Sequence, residues 1–507
     1  SSENIKKVNR ILEDYSKTDS IITVVSAIGG ITNKLLKSGE LAKNKDISYL
    51  SEFELIKSTH LNILSELIPA SNEANIEYLE NKLHALKKLL DGIYLINELS
   101  PKTSDKLVSF GELLSSYIIT EAIKYKGVNA TRKNTQELIF TNNNFTNAVV
   151  NFDLTNKNIQ SYFSSSNYPI TIIPGFISKS VDGEITTLGR GGSDFSAAII
   201  AAALKVTSLE IWTDVSGMYT ANPKLVGQAF PIEKLSYQEA MELSHFGAKV
   251  LYPPTVQPVL DLEIPILIKN TMDPLAPGTI ISNQNSIERS SVAKGISHIE
   301  NIALLTLQGN GMVGIPGFSK RLFETLAQEK INVILITQAS SEHSICFAID
   351  NTNAKRAEKS INETFENEIS LHKIDPIQLE NNLAIVALVG DNMKNHQGIS
   401  GRMFSALGKN NINIRAIAQG ASEKNISTVI AETDVKKALN TIHERFFEDQ
   451  NKQLNVFITG VGNVGERLVE QIKQQEEYLK ERLKINLRII GLSNSLSEFS
   501  VIRTYYT

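Results

Sequence analysis

The chain has 507 residues, 42% apolar and 21% charged residues, and a formal net charge of -4 at pH 7. This length predicts three or so domains, and the weak acidic balance gives no electrostatic footprint for nucleic acid. No apolar run reaches the roughly 20 residues that span a bilayer, and eight scattered histidines without a CxxC motif predict no dedicated transition-metal site. We expect small-molecule ligands, no nucleic-acid or membrane partner and, from the lone Cys346, a cytoplasmic protein.

The first elements read as a helix, then a strand over 20–26, then the small-residue turn Ala27-Ile28-Gly29-Gly30 before a second helix. Open α/β sheets build phosphate sites at such turns. An ordinary connecting turn explains this segment equally well. The periodicity over 46–99 is helical, and it carries no chemical motif.

The segment 103–116 has the pattern of an amphipathic helix and carries Glu112. A single glutamate on such a helix is usually exposed to solvent. This residue therefore predicts no site by itself.

A glycine loop, Leu188-Gly189-Arg190-Gly191-Gly192-Ser193-Asp194, follows a strand pair that turns at Asp182-Gly183 and leads into an apolar helix. Glycines let the backbone approach a ligand, and Ser193 or Asp194 is expected to cap the helix, whose N-terminus favours anions. The Arg190 guanidinium suits a carboxylate or phosphate. A loop that merely turns the chain is an equally good interpretation.

Another strand, 209–213, ends at Thr213-Asp214 and is followed by Tyr219 and Lys224, and farther on by Lys249. The two lysines could contact phosphates. Taken one at a time, each is more often a solvated surface residue.

Together these segments resemble the aspartokinases of the amino-acid-kinase fold. The matching motifs, in family order, are Ser26 to Asn33, Ser109 to Glu112, Leu188 to Asp194, Trp212 to Lys224, and Phe246 to Pro253. The resemblance implies a three-layer αβα sandwich over 1–285 that phosphorylates the β-carboxylate of L-aspartate to 4-phospho-L-aspartate with ATP and Mg²⁺. Such a transfer depends on positioning and charge neutralisation.

The resemblance also assigns roles to individual residues. Ser26, Arg190 and Asp194 would act at the reacting phosphoryl group. The aspartate would be held by Thr32, Glu112, Arg190, Gly191, Gly192 and Ser193, with Glu112 on its ammonium and Arg190 on a carboxylate. The nucleotide would be lined by Thr213, Asp214, Tyr219, Lys224 and Lys249.

The family opens on a strand that ends Lys-Phe-Gly-Gly-Thr-Ser, and this sequence begins just after that motif. We therefore expect the first strand of the fold to be missing, which would leave the kinase activity of this chain in doubt. One alternative is an amino-acid-binding regulatory module with an inactive kinase domain. Another is a different amino-acid kinase, such as a carbamate or glutamate kinase.

An internal repeat follows the polar boundary 282–286. Phe323, Leu326, Gln338 and Ser341 recur 81 positions later, and each copy reads strand, helix, strand, turn, strand. The copies resemble ACT domains (ferredoxin-like βαββαβ) over 300–380 and 381–450. The resemblance implies an amino-acid effector contacted by Gln338 and Gln419, and a homodimer or tetramer through these domains. Exposed turn residues are the alternative for both glutamines.

The C-terminal stretch combines a strand, the glycines Gly460, Gly462 and Gly465, a helix and a second strand over 485–491, which is the dinucleotide fingerprint. No acidic residue lies at the end of the second strand, so the sequence does not distinguish NAD from NADP as the cofactor. The stretch 453–507 resembles an incomplete, Rossmann-type start of homoserine dehydrogenase. It implies a bifunctional parent and threonine as effector, with no dehydrogenase activity in this chain. Residues 496–507 are assigned to no motif.

Overall fold

A computed structural model of the chain describes residues 1–69, 73–245, 251–283, 292–313, 316–338, 343–420, 424–448, 452–483, 485–494 and 497–500. The described residues form two compact units, Ser1–His443 and Glu444–Thr507. The fold is mixed α/β, as the sequence predicts.

The first unit begins with a helical lobe around one strand. Its elements are α1 (Ser2–Tyr15), β1 (Ile21–Val25), α2 (Ile31–Lys43), α3 (Tyr49–Leu67), α4 (Glu73–Ile96) and α5 (Pro101–Tyr125). Apolar residues recur every three or four positions on α4, where Leu79, Leu83, Leu86, Leu90 and Ile93 are buried. This spacing explains why the described residues of 46–99 fold as packed helices.

Short strands and two helices follow, and they form the frame of the glycine loop. They are β2 (Ala130–Arg132), β3 (Phe140–Thr141), α6 (Phe152–Ser165), β4 (Ile170–Pro174), β5 (Ile177–Ser180), β6 (Ile185–Thr187) and α7 (Gly192–Leu204). Strand β4 pairs in parallel with β1 and β2, and β5 pairs antiparallel with β6. The β5–β6 hairpin turns at Gly183, whose φ of +93° confirms the predicted turn.

A second sheet has the strand order β7-β9-β10-β8. Its part of the chain comprises β7 (Leu209–Thr213), β8 (Lys234–Leu235), α8 (Tyr237–His245), α9 (Pro253–Leu260), β9 (Ile266–Asn270) and β10 (Thr279–Ile281). Helix α7 contacts both β1 and β7 as well as α6 and α9. Contact on all these sides explains why its sequence is almost wholly apolar.

The repeat forms one six-stranded antiparallel sheet in the order β12-β13-β11-β14-β16-β15. The elements are β11 (Gly295–Gln308), α10 (Phe318–Gln328), β12 (Val333–Gln338), β13 (Ser344–Asp350), α11 (Ala354–Thr364), α12 (Glu366–Ser370), β14 (Gln378–Val389), α13 (Ile399–Lys409), β15 (Ala416–Gln419), β16 (Asn425–Ala431) and α14 (Val435–Phe447). The edge strands β12 and β15 also approach each other.

The long strands β11 and β14 pair with each other along both halves, and the pairing is interrupted by bulges. Asn301 and Asn382, which lie 81 positions apart, have φ of +59° and +58° at these interruptions. Asparagine tolerates the left-handed region better than most residues. Each long strand thus contributes to both copies of the repeat, and the expected boundary between 380 and 381 falls within β14.

The second unit contains β17 (Lys452–Thr459), α15 (Asn463–Glu481), β18 (Ile485–Asn494) and β19 (Ser497–Ser500). Strand β18 runs parallel to β17, and β19 runs antiparallel to β18. The predicted succession of strand, glycine turn, helix and strand is confirmed. The antiparallel β19 was not predicted.

Candidate active site

One cavity of about 350 Å³ brings together residues that lie far apart in the sequence. All the residues assigned to catalysis and aspartate binding line it, namely Ser26, Thr32, Glu112, Arg190, Gly191, Gly192, Ser193 and Asp194. Ala27, Ile28, Gly29, Gly30, Phe176 and Gly189 complete the lining. The turn after β1 and the glycine loop before α7 therefore form two walls of the cavity.

Glu112 is buried on α5, with 3% of its surface exposed, so the expectation of an exposed glutamate is wrong. Its Oε1 accepts a hydrogen bond from the Ala27 N–H at 3.2 Å, and its Oε2 has no hydrogen-bond partner. Burial raises the pKa of Glu112 to about 7. A buried carboxylate oxygen without a donor is costly, and an ammonium group in the cavity would satisfy it.

The lack of a side chain at Gly111 lets helix α5 pack closely against the turn after β1. A Cβ added at Gly111 would lie 2.8 Å from the Cβ of Ala27. The Ser115 hydroxyl donates to the carbonyl oxygen of Ser26 at 2.8 Å. Helix α5 therefore holds the turn after β1 by direct contact as well as through Glu112.

The N-terminal cap of helix α7 differs from the prediction. Helix α7 is capped by Gly191, which has φ of +69°, and no side chain makes the cap hydrogen bond. Ser193 and Asp194 lie inside the first turn instead, so the capping role expected for them is wrong. The reason is conformational, because glycine adopts the left-handed region at little cost.

Further features make this loop tightly packed. A Cβ at Gly191 would lie 2.6 Å from the Tyr252 ring, and a Cβ at Gly192 would lie 2.7 Å from the Phe176 ring. Arg190 is exposed on the cavity rim, and burial raises the pKa of Asp194 to about 6. The loop thus presents a cation, a helix N-terminus and a carboxyl group to the same space.

Asp105 is a residue of this region that the sequence analysis missed. It lies near the start of α5 with 1% of its surface exposed. Its Oδ2 accepts hydrogen bonds from the Thr146 and Thr187 N–H groups at 2.9 and 3.1 Å, and its Oδ1 accepts from the Thr187 hydroxyl at 2.8 Å. No local signal in the sequence separates it from a solvated helix residue.

Four of the residues assigned to the nucleotide, Thr213, Asp214, Tyr219 and Lys224, lie outside the cavity lining. Thr213 ends β7 and donates its hydroxyl to Asp214 Oδ1 at 3.2 Å. Asp214 and Lys224 are exposed, and Tyr219 bridges to Pro231 in the loop that follows β7. Lys249 lies outside the described residues.

The loop from Tyr219 to Lys224 contacts the last helix of the repeat. The Thr220 hydroxyl lies 2.9 Å from Nε2 of His443, and both residues are buried. The Asn440 side-chain amide donates to the Leu225 carbonyl oxygen at 2.9 Å. Helix α14 and the loop assigned to the nucleotide are therefore in direct contact.

A second junction joins α8 to the repeat. Glu239 accepts hydrogen bonds from the N–H groups of Ser236 and Asp391 at 2.9 and 3.0 Å. Its burial raises its pKa. The Asn425 amide donates to Glu242 Oε2 at 2.6 Å. Helix α8 precedes the segment that contains Lys249.

The two glutamines assigned to an effector occupy equivalent places. Gln338 ends β12 and Gln419 ends β15, and both are exposed. The Ser400 hydroxyl donates to Gln419 Oε1 at 2.9 Å. These positions leave the alternative of exposed turn residues open.

The glycines of the dinucleotide fingerprint form a tight turn between β17 and α15. Gly460 has φ of +92°, and a Cβ added at Gly465 would lie 2.3 Å from the Gly460 carbonyl oxygen. Gly462 caps α15. This geometry requires glycine at two of the three positions.

Within the described ranges, no group of three or more His, Cys, Asp or Glu side chains is placed to hold a metal ion. Among the same residues, no helix is long and apolar enough to cross a membrane.

Two family models match this chain. Residues 1–270 match the model of the amino acid kinase family, and the chain belongs to that family. Residues 305–365 and 386–446 match the ACT domain, with the same offset of 81 positions that the repeat shows.

Individual relatives narrow the assignment to the aspartokinases. Aspartokinase 1, chloroplastic, of Arabidopsis thaliana is 34% identical over 88% of this chain and 78% of its own length. The bifunctional aspartokinase/homoserine dehydrogenase 1, chloroplastic, of the same plant is 36% identical over 97% of this chain. The chain spans 55% of that bifunctional relative's length.

Solved structures agree with this assignment. Escherichia coli aspartokinase III in complex with aspartate and ADP (R-state) matches with a TM-score of 0.74 and 29% identity, covering 88% of this chain and 96% of that one. The same protein in complex with lysine and aspartate (T-state) gives a TM-score of 0.70 at 30% identity over the same shares.

Proposed function

We propose that this chain transfers the γ-phosphoryl group of ATP to the β-carboxylate of L-aspartate, giving 4-phospho-L-aspartate and ADP. The observation that carries the proposal is the cavity in which an unpartnered carboxylate oxygen of Glu112 shares the lining with Arg190. An amino acid with a second carboxylate has complementary charges. The E. coli relative solved with aspartate and ADP supports this choice of ligand.

Within the cavity, Glu112 takes the ammonium group of aspartate and Arg190 takes a carboxylate. The backbone of Gly191, Gly192 and Ser193 and the hydroxyl of Thr32 define the remaining surface. Because Glu112 lies on α5 and Arg190 on the loop before α7, the substrate is positioned between the two walls of the cavity.

The phosphoryl group is transferred at the N-terminus of α7. Free N–H groups and the helix dipole there stabilise negative charge on the transferring oxygens. Ser26 and Asp194 orient groups around the reacting centre. Transfer of this kind needs positioning and charge stabilisation more than a protein nucleophile.

Mg²⁺ suits the oxygen ligands at this place. It is usually held through one or two carboxylates and the nucleotide phosphates. Asp194 is the residue that would hold the ion, which would neutralise phosphate charge when bound.

The nucleotide lies along Thr213, Asp214, Tyr219 and Lys224, with Lys249 as a further contact. Lys224 and Asp214 are exposed and available to a ligand. The position of this group after the end of β7 fits the rule that open α/β sheets bind ligands at strand carboxyl ends.

An amino-acid effector acts through the ACT repeat, and threonine is the one we propose. The contact between Thr220 and His443 joins the repeat to the nucleotide loop. The E. coli relative solved with lysine supports an amino-acid effector of the same general kind. Regulation requires that the effector bind two arrangements of the chain with different affinity.

Two copies of the chain associate through the repeat as a homodimer, or as a tetramer of such dimers. The edge strands β12 and β15 carry Ile336 and Ile417, which are 50% and 41% exposed and lie 81 positions apart. Because β12 and β15 approach each other, these exposed apolar side chains offer one surface that burial against a second copy would cover.

The fingerprint turn at Gly460, Gly462 and Gly465 belongs to a homoserine dehydrogenase portion of a bifunctional protein that uses NAD or NADP. Cytoplasmic location stays a prediction, and the two Arabidopsis relatives are named as chloroplastic proteins.

The test is ADP release from MgATP with L-aspartate, with and without threonine. Glu112→Gln should abolish the aspartate dependence, while Glu121→Gln on the same helix, whose partner is the surface residue Lys124, should not. Phosphorylation of carbamate, glutamate or acetylglutamate instead of aspartate would reassign the chain to another amino-acid kinase. Threonine binding without any ADP release would leave the regulatory module as the function.

A further inference from the structure

The start of α5 is joined to the segment that precedes the glycine loop by a buried carboxylate. Asp105 is 1% exposed and accepts three hydrogen bonds, from two N–H groups and one hydroxyl. Hydrogen bonds to a buried charged group are among the stronger ones in proteins, and removing the acceptor leaves buried donors unsatisfied.

Thr187 donates two of these hydrogen bonds and is the last residue of β6. Leu188 and Gly189 follow it directly, and Arg190 comes next. The Leu188 N–H donates to the Phe176 carbonyl oxygen at 2.9 Å. Fixing Thr187 therefore fixes the point at which the glycine loop leaves the sheet.

Thr146 provides a second, independent observation. It has φ of +70°, a conformation that is unfavourable for a β-branched residue. Such strain persists where surrounding contacts enforce it, and it is concentrated at functional sites. Here the N–H of the strained residue donates to Asp105, and its carbonyl oxygen would lie 3.3 Å from a Cβ added at Gly189.

Asp105 and Glu112 lie seven residues apart on α5 and thus on one face of the helix. Glu112 holds the turn after β1, and Asp105 holds the strand end before the glycine loop. One helix therefore sets the distance between the two walls of the cavity.

We infer that Asp105 is a positioning residue, which acts through Thr187 and Thr146 to hold the glycine loop where Arg190 meets the carboxylate of the substrate. It touches no substrate itself. The identity of that substrate rests on the proposed aspartate kinase function. Small displacements of a binding loop lower turnover strongly, since the reacting atoms must meet within a narrow range of geometry.

The test compares Asp105→Asn, which removes the charge and replaces one acceptor oxygen by an NH2 donor, with the control Asp91→Asn. Asp91 is also a hydrogen-bonded carboxylate, with Tyr49 and Lys87 as partners, but it lies on α4 outside the cavity lining. A second pair of variants tests the Thr187 hydroxyl alone. Thr187→Val removes this donor, and Thr187→Ser keeps it.

Two readouts are made on the full chain. Hydrogen exchange of the 186–195 peptide should accelerate about tenfold in Asp105→Asn and less in Thr187→Val, and should not change in Asp91→Asn or Thr187→Ser. In ADP-release kinetics, Asp105→Asn should raise KM for L-aspartate about tenfold and leave KM for ATP within about twofold.

Unchanged exchange in the 186–195 peptide of Asp105→Asn would overturn the inference. An equal rise of KM for L-aspartate and of KM for ATP in Asp105→Asn would also overturn it, as would identical kinetics of the two Thr187 variants. Either result would indicate general destabilisation. If the unmodified chain releases no ADP with aspartate, the proposed function fails, and the exchange measurement alone then decides whether Asp105 holds the loop.

Discussion

Glu112→Gln should make the protein more stable at alkaline pH while it abolishes aspartate-dependent ADP release. The Glu112 side chain is buried, and one of its carboxylate oxygens has no partner. Glutamine keeps an oxygen to accept the Ala27 N–H and carries no charge. Sites built for function often lower stability in this way.

The size of the stability change follows from the pKa of Glu112. Burial moves the Glu112 pKa from 4.5 to about 7, so the folded protein holds a proton that the unfolded chain releases between these values. Stability is therefore fully present below pH 4.5, falls as the pH rises, and is lower by about 3 kcal/mol above pH 7, at about 1.4 kcal/mol for each pKa unit. The variant should regain about 1–3 kcal/mol of this at pH 8.

The assay is thermal unfolding at pH 5.5 and pH 8, with Glu121→Gln as control. We expect the wild-type midpoint to fall by a few degrees more than that of Glu112→Gln between the two pH values. In wild type, kcat/KM for aspartate should also decline below about pH 7, because the protonated carboxyl cannot pair with an ammonium group. A variant that is less stable at pH 8, or that keeps aspartate-dependent activity, would refute the reasoning.

Three other perturbations are informative. Gly191→Ala should lower kcat/KM for aspartate by about tenfold or more. The φ of Gly191 is +69°, and an added Cβ would lie 2.6 Å from a tyrosine ring. A Cβ added at Gly227 has open space around it, so Gly227→Ala should be neutral in the same kinetics. Burial lowers the pKa of His60, so stability should fall as the pH drops below about 6.5, and His60→Leu should flatten that fall in thermal melts; parallel curves would contradict this. Gln338→Ala and Gln419→Ala should weaken threonine inhibition about tenfold or more without changing the uninhibited rate, and unaltered inhibition curves would argue against an effector site there.

Much of the cavity could be predicted from the sequence because its walls are local motifs. The turn after β1 and the loop before α7 each join a strand to a helix, and the resemblance to the aspartokinases assigned these two short motifs to one site. The repeat was equally accessible, since Gln338 and Gln419 keep the offset of 81 positions that the ACT matches also show.

The remaining features depend on contacts between distant residues. The partners of Asp105 lie 41 and 82 positions along the chain, and the burial of Glu112 depends on its contact with the turn 85 positions earlier. Helical periodicity shows which face is apolar but does not show which acidic residue is enclosed. Likewise, the cap at Gly191 was missed because Ser193 and Asp194 are the more usual capping types.

The measurement that tests the central claim most directly is ADP release from MgATP by the purified chain as L-aspartate is titrated, run beside Glu112→Gln. We expect a saturable, aspartate-dependent rate in wild type and in Glu121→Gln that is lost in Glu112→Gln. A rate that ignores aspartate, or an equal rate in Glu112→Gln, would contradict the assignment of the cavity as an aspartate site.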